Sequence, residues 1–134
     1  MKTRTINLLS ASIVFLLILL SGCMGVPKSI PEDLQPEEYF KNAQSAVVDW
    51  GNEKAALFYY REFIKRFPDM KGKVIEAEYE IAFIYYKQGN YYESKKRFKE
   101  ILAKYETEER IYYPEWPKIL SEKILKKAEE KSKY

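Results

Sequence analysis

The chain has 134 residues, of which 23 are basic, 20 are acidic and none is histidine, and it contains one cysteine. A single cysteine has no disulfide partner within the chain, and without histidine no cluster of the usual metal ligands is expected. Two of the basic residues lie in the first 22 residues, so the remaining 112 residues are almost neutral. This composition predicts no metal, no dissociable cofactor and no nucleic-acid partner.

Residues 1–22 have the layout of an export signal. Lys2 and Arg4 form a basic head, residues 13–20 are an apolar run, and small residues follow immediately before Cys23. The apolar run is much shorter than the roughly 18 to 20 residues that a bilayer-spanning helix needs. We therefore expect a cleaved signal peptide rather than a transmembrane helix.

The stretch Leu20-Ser21-Gly22-Cys23 resembles the lipobox of bacterial lipoprotein signals. In such signals a diacylglyceryl group is attached to the cysteine, the leader is removed, and the new amine is acylated with a chain such as palmitate. The resemblance implies a covalent lipid on Cys23. Because each buried methylene contributes about 0.8 kcal/mol, two or three acyl chains would anchor the protein almost permanently. The alternative for Cys23 is a small buried apolar side chain, which this sequence context does not favour.

Residues 23–35 contain Pro27 and Pro31 and have no regular periodicity. Such a segment is expected to be a flexible tether that holds the folded part on the order of 30 Å from the membrane. From residue 36 to residue 134 the pattern is helical, with no stretch that makes a convincing strand. The sequence thus predicts one all-α domain, whose five helices begin near residues 36, 53, 73, 91 and 114–117.

The helices repeat with a period of 38 residues. Gly51-Asn52 recurs as Gly89-Asn90, and the small and aromatic positions that follow each turn recur at the same spacing. The second unit is similar to a tetratricopeptide repeat at Ala82, Tyr85, Gly89-Asn90-Tyr91, Ser94 and Phe98. This resemblance implies about two helical hairpins and a C-terminal capping helix. The period exceeds the usual 34 residues, and the excess is expected in a longer link at residues 69–72.

Together with the lipobox, residues 58–68 and 85–91 resemble the BamD family of outer-membrane-protein assembly lipoproteins, over about residues 36–105. The resemblance implies a scaffold on the periplasmic side of the outer membrane. Its partners would be a β-barrel assembly subunit and unfolded outer-membrane proteins. Members of that family carry more repeats than this chain. A repeat adaptor of another envelope complex, for cell wall or division, therefore stays open as the alternative.

In tetratricopeptide repeats the first helix of each hairpin lines the inner face. Counting from Ala82 places Tyr79, Phe83 and Tyr86 on that side of the third helix, as a candidate groove for an extended apolar or aromatic peptide. The same helix is apolar almost all round, which is typical of a buried helix, and the last helix could cover this face.

Catalysis finds no support in the sequence. It contains no histidine, no phosphate-binding glycine loop and no serine in a nucleophile-elbow context. Carboxylate pairs such as Glu76 with Glu80 are expected on solvated helix surfaces. An envelope hydrolase that uses two carboxylates is a remote alternative, because nothing in the sequence predicts acids that converge in a cleft.

Overall fold

The computed structural model describes residues 25–133, and the secondary structure in that part of the chain is entirely helical. The elements are α1 (Pro36–Val48), α2 (Glu53–Arg66), α3 (Lys71–Lys87), α4 (Tyr91–Lys104), a short 3-10 helix (Glu108–Tyr112) and α5 (Glu115–Lys131). The prediction of an all-α fold is confirmed. The export signal and Cys23 lie outside the described residues. None of the described helices is long and apolar enough to cross a membrane.

The turns that close the two hairpins have the same local chemistry. Gly51 and Gly89 both have positive φ, 58° and 75°, which a residue without Cβ adopts at low cost. The next residue in each turn, Asn52 or Asn90, caps the following helix by accepting a hydrogen bond from a first-turn N–H, at 3.0 Å and 3.2 Å. The sequence repeat is therefore also a structural repeat.

The helices of each hairpin pack through small side chains, and large side chains fill the space beyond them. Ala56 of α2 and Ser94 of α4 occupy equivalent positions, and both are fully buried. Phe63 and Phe98 are also fully buried, one in each of two adjoining clusters of core residues. The apolar core is thus built in two successive layers, one for each hairpin.

The link between the hairpins is shorter than the sequence predicts. Lys71 and Gly72 belong to α3, and α3 has 17 residues against 13 in the equivalent α1. The extra residues of the repeat therefore lengthen α3 by about one turn, and the prediction of a long link at residues 69–72 is wrong. A Cβ at residue 72 would lie 2.9 Å from the backbone oxygen of Tyr112. Glycine at this position lets the 3-10 helix approach α3.

The N-terminal end of the array is covered by part of the predicted tether. Ile30 is 6% exposed and belongs to the core of the first hairpin, and Leu34 packs against that core. The guanidinium of Arg66 donates hydrogen bonds to the backbone oxygens of Pro31, at 2.9 Å, and Ile30, at 3.2 Å. A single buried isoleucine gives no periodic signal, and this is why the sequence indicated a free tether throughout residues 23–35.

Candidate functional site

The three rings of the predicted groove form a continuous ladder along α3. Tyr79 and Phe83 are stacked with ring centroids 6.1 Å apart and planes 9° apart. Phe83 and Tyr86 repeat this arrangement at 6.1 Å and 15°. Spacings of three and four residues place the rings on one side of a helix, so the structure brings all three together.

The C-terminal helix α5 lies against this ladder. Trp116 contacts Tyr79 edge-on, with ring centroids 5.1 Å apart, and the Nζ of Lys131 lies 5.2 Å from the centroid of Tyr86. Tyr79 is only 6% exposed, and burial raises its pKa to about 12. Phe83 and Tyr86 are half-buried. Of the three predicted residues, Tyr79 is thus a core side chain, and the other two keep accessible surface.

A cavity of about 190 Å³ lies at the N-terminal end of the array, and a second cavity, of about 240 Å³, lies between α1 and α3. The second has an apolar floor, because the ring of Phe40 lies in it and packs against Phe63 with centroids 5.0 Å apart. Gln44 of α1 and the ion pair of Lys73 with Glu76, at 2.7 Å, form a polar rim. An apolar floor with a few polar groups around it is typical of a site that accepts a side chain.

Glu80 and Phe83 do not line this cavity, but their three- and four-residue spacing from Glu76 places them on the same face of α3. Glu80 is half-buried, and burial, together with the charge of Glu76, raises the pKa of its carboxyl group. No ion pair involves Glu80 within the described residues. This carboxyl group can therefore accept a hydrogen bond from a bound segment. We call the set that lines this face the inner groove: Phe40, Gln44, Lys73, Glu76, Glu80 and Phe83.

Sequence reasoning missed most of the inner groove. Glu76 and Glu80 were expected on a solvated surface, but Glu76 lines the cavity and Glu80 is half-buried. A signal existed, because residues 73, 76, 80 and 83 recur at the three- and four-residue spacing of one helix face. The contribution of α1 through Phe40 and Gln44 depends on how the hairpins pack, which the local pattern does not encode.

The rest of the described chain offers little for chemistry. No group of three or more His, Cys, Asp or Glu side chains within residues 25–133 is placed to hold a metal ion. Glu78 and Lys104 form a bidentate ion pair, at 2.5 Å and 2.6 Å, and Lys71 pairs with Glu109 at 2.8 Å. These pairs join α3 to α4 and to the 3-10 helix. Their side chains line a third cavity, of about 400 Å³, in which these charged groups are paired with one another.

Comparisons with known proteins agree with this architecture. Residues 76–107 match the family profile described as tetratricopeptide repeat, a range that begins within α3 and includes all of α4. The chain is 37% identical over 89 residues to an uncharacterized protein of Treponema pallidum (strain Nichols), and the alignment covers 65% of this chain. The chain spans about a third (35%) of the length of that relative. No solved structure matches the chain.

The repeat match and the helical structure together confirm the prediction of tetratricopeptide-repeat-like hairpins. All-helical folds of this class typically serve as interaction scaffolds without catalysis, and their neighbouring repeats form extended binding surfaces. The features of the inner groove therefore fit a surface that binds another protein.

Proposed function

We propose that this protein is a lipid-anchored scaffold of the cell envelope that binds other proteins through its inner groove and acts in outer-membrane β-barrel protein assembly. The observation that carries the proposal is the cavity between α1 and α3, the first helices of the two hairpins, with its apolar floor and polar rim. The lipobox at Cys23 supports an anchor on the periplasmic side of the outer membrane. The covalent lipid is the one non-protein group that the proposal needs.

The inner groove suits an extended segment of an unfolded barrel protein. An aromatic or aliphatic side chain of such a segment fits the cavity beside Phe40, whose volume of about 240 Å³ is enough for one large side chain. Lys73 and Glu76 at the rim can bond to polar groups of the segment, and Glu80 can accept from a backbone N–H. Alternate side chains of a strand point to opposite sides, so every second residue would face the groove.

The lipobox and the two hairpins of the described residues suit an adaptor of another envelope complex equally well, and such an adaptor is the second candidate function. Such an adaptor for cell wall or division proteins would use the same groove and the same anchor. The two candidates differ in the identity of the bound protein, so one capture experiment separates them.

The test is a mild-detergent capture of the tagged protein from its own cells, with bound proteins identified and quantified by mass spectrometry. Gln44 is exposed at the rim, so Gln44→Trp fills the cavity without disturbing the core. We expect the wild type to recover a barrel-assembly subunit in near-equal amount, and Gln44→Trp to reduce that recovery roughly tenfold, the effect of losing one well-buried contact.

The matched control is Lys99→Trp, which adds the same ring at an exposed position on α4, outside the inner groove. We expect this variant to recover the partner as the wild type does. Enrichment of a different envelope complex would overturn the barrel-assembly role and support the adaptor. Equal recovery by Gln44→Trp and wild type would exclude the inner groove as the binding site. Independently, Cys23→Ser is expected to release the protein from the membrane fraction.

A further inference from the structure

Four apolar side chains are exposed around the turn between α1 and α2. Val48 is 80% exposed, Trp50 59%, Val26 41% and Val47 37%. Val47 and Val48 end α1, Trp50 lies in the turn, and Val26 belongs to the N-terminal segment. Exposed apolar residues that occur singly are ordinary, whereas a group that includes a tryptophan points to a contact. We call these four residues the tip surface.

The chain that leads to Cys23 reaches the body of the protein at this place. Gly25 and Pro27 line the cavity of about 190 Å³ to which Trp50 also contributes. Gly25 is two residues from Cys23, and at no more than about 3.6 Å per residue the two Cα atoms are within roughly 7 Å of each other. A lipid on Cys23 would therefore enter the bilayer next to Trp50. The burial of Ile30 limits how far this segment can swing away.

The same end of the molecule carries further groups that suit a membrane interface. The amide of Gln88, after α3, donates to the carboxylate of Glu53, at the start of α2, over 2.8 Å. Lys95 of α4 donates to Ser132, after α5, also at 2.8 Å. These bonds place the turns of both hairpins and the end of α5 at one end of the bundle. Tyr92, 79% exposed, also lies there. The exposed charged groups at this end are three carboxylates and five lysines: Asp49, Glu129, Glu130, Lys54, Lys87, Lys96, Lys131 and Lys133.

From these observations we propose that the tip surface contacts the bilayer, so that the protein is held at the membrane by Trp50 and its apolar neighbours as well as by its lipid. Tryptophan and tyrosine are enriched at the membrane interface, where lysines at the same level reach the headgroups. The proposal rests on the lipid anchor of the proposed function. It gives the protein a fixed orientation, with the hairpin turns toward the membrane and the 3-10 helix away from it.

Tryptophan fluorescence tests the proposal, because the chain has two tryptophans at different levels of the bundle. Trp50 belongs to the tip surface, whereas Trp116, at the start of α5, contacts Tyr79 about halfway along α3. The lipidated protein is reconstituted into vesicles of phosphatidylethanolamine and phosphatidylglycerol, with and without brominated phosphatidylcholine as quencher. Trp116→Phe leaves Trp50 as the emitter, and Trp50→Phe leaves Trp116. We expect bromolipid to reduce the emission of Trp50 roughly twofold and that of Trp116 by less than about a tenth, since interfacial side chains sit about 5–10 Å deep.

The proposal would be overturned if the protein floated with the vesicles but bromolipid did not quench the emission of Trp50. That result would leave the lipid anchor intact. If light scattering then shows a dimer in detergent, the tip surface is instead the contact between two copies. Should Trp116→Phe fold poorly, the difference between wild type and Trp50→Phe still gives the signal of Trp50.

Mass spectrometry that finds no lipid on Cys23 would overturn the anchor itself. The full chain is then coupled through its single cysteine to vesicles that contain a maleimide lipid, and the same quenching decides the tip contact.

Discussion

The two ends of this short array are covered in different ways. The C-terminal end is covered by α5, a helix of 17 residues that buries Pro117, Ser121, Ile124 and Ala128. The N-terminal end is covered by an extended segment that buries one side chain, Ile30, and is held by two hydrogen bonds from Arg66. Repeat arrays need covers because each repeat leaves an apolar face for its neighbour. The comparison shows that such a cover need not be a helix.

The difference follows from the packing of each hairpin. In the first hairpin, α1 and α2 fill most of their own interior with aromatic rings, since Phe40 contacts both Tyr60 and Phe63 and Tyr39 contacts Phe67. One isoleucine is enough to close the space that remains. In the second hairpin, the apolar side chains around Phe98 are shielded from solvent only because α5 packs its own apolar residues against them.

The largest effect on stability is expected for substitutions in the cores of the two hairpins. Phe63→Ala and Phe98→Ala each remove a fully buried ring, and each is expected to lower the free energy of unfolding by about 3–5 kcal/mol. Urea denaturation followed by circular dichroism measures both. Ile119→Ala, at a site 59% exposed, is the control and should change stability by less than about 0.5 kcal/mol. A loss at only one of the two phenylalanines would contradict two equivalent hairpins.

The next effect compares the covers directly. Ile124→Ala is expected to cost about 2–3 kcal/mol, in the range for a buried isoleucine. Ile30→Ala is expected to lower the free energy of unfolding by about 2 kcal/mol. The effect is limited because the loss of stability cannot exceed the free energy gained when residues 25–35 pack on the first hairpin. Val26→Ala is the control, since Val26 is 41% exposed. Urea denaturation of these variants measures the three effects. If Ile30→Ala left the free energy of unfolding unchanged, residues 25–35 would be a free tether.

A smaller effect compares the hairpin turns. Gly51→Ala and Gly89→Ala force a Cβ into the left-handed region and are each expected to cost about 1–2 kcal/mol. Gly25→Ala, where a Cβ meets nothing within 4 Å and φ is not positive, serves as the control. Thermal melts of the three variants give the values. Unequal losses at the two turns would show that the repeats differ in their turns as well as their covers.

The smallest effect is expected at the junction between the two hairpins. Here Glu80 lies near Glu76, and burial, together with the charge of Glu80, raises the pKa of Tyr60. The folded-state pKa of Glu80 is raised above the ordinary value of 4.5, so the folded protein binds this proton more tightly than the unfolded chain. The resulting stability is present below pH 4.5 and is lost as the pH rises through the raised pKa.

Glu80→Gln removes this pH dependence, because a glutamine side chain does not titrate. We expect the substitution to raise the free energy of unfolding more at pH 7 than at acidic pH. Urea denaturation across that pH range measures the difference, with the exposed Glu122→Gln as control. A pH-independent effect of Glu80→Gln would indicate that this carboxyl group is not desolvated at the junction.

The sequence predicts what local chemistry determines. Helix ends at Gly51 and Gly89 were predicted because glycine and asparagine mark turns directly. The start of α3 at Lys71 was missed, since Pro68, Asp69 and Gly72 together suggest a link, and only the nearby Tyr112 explains a glycine inside a helix. The 3-10 helix at Glu108–Tyr112 has no counterpart among the five predicted helices.

The candidate site was harder to predict. The ladder of Tyr79, Phe83 and Tyr86 follows from spacing on one helix, but which rings stay accessible depends on α5. The inner groove depends on the approach of α1 to α3, and a helix pattern does not encode that distance.

Site-specific photo-crosslinking in living cells tests most directly the central claim, that this is a membrane-anchored scaffold whose inner groove binds protein. A benzophenone amino acid replaces Gln44, at the rim of the inner groove, or Val48, on the tip surface. We predict protein adducts from position 44, with the captured partner identified by mass spectrometry, and lipid adducts without protein from position 48. Protein adducts from position 48 together with none from position 44 would contradict the account.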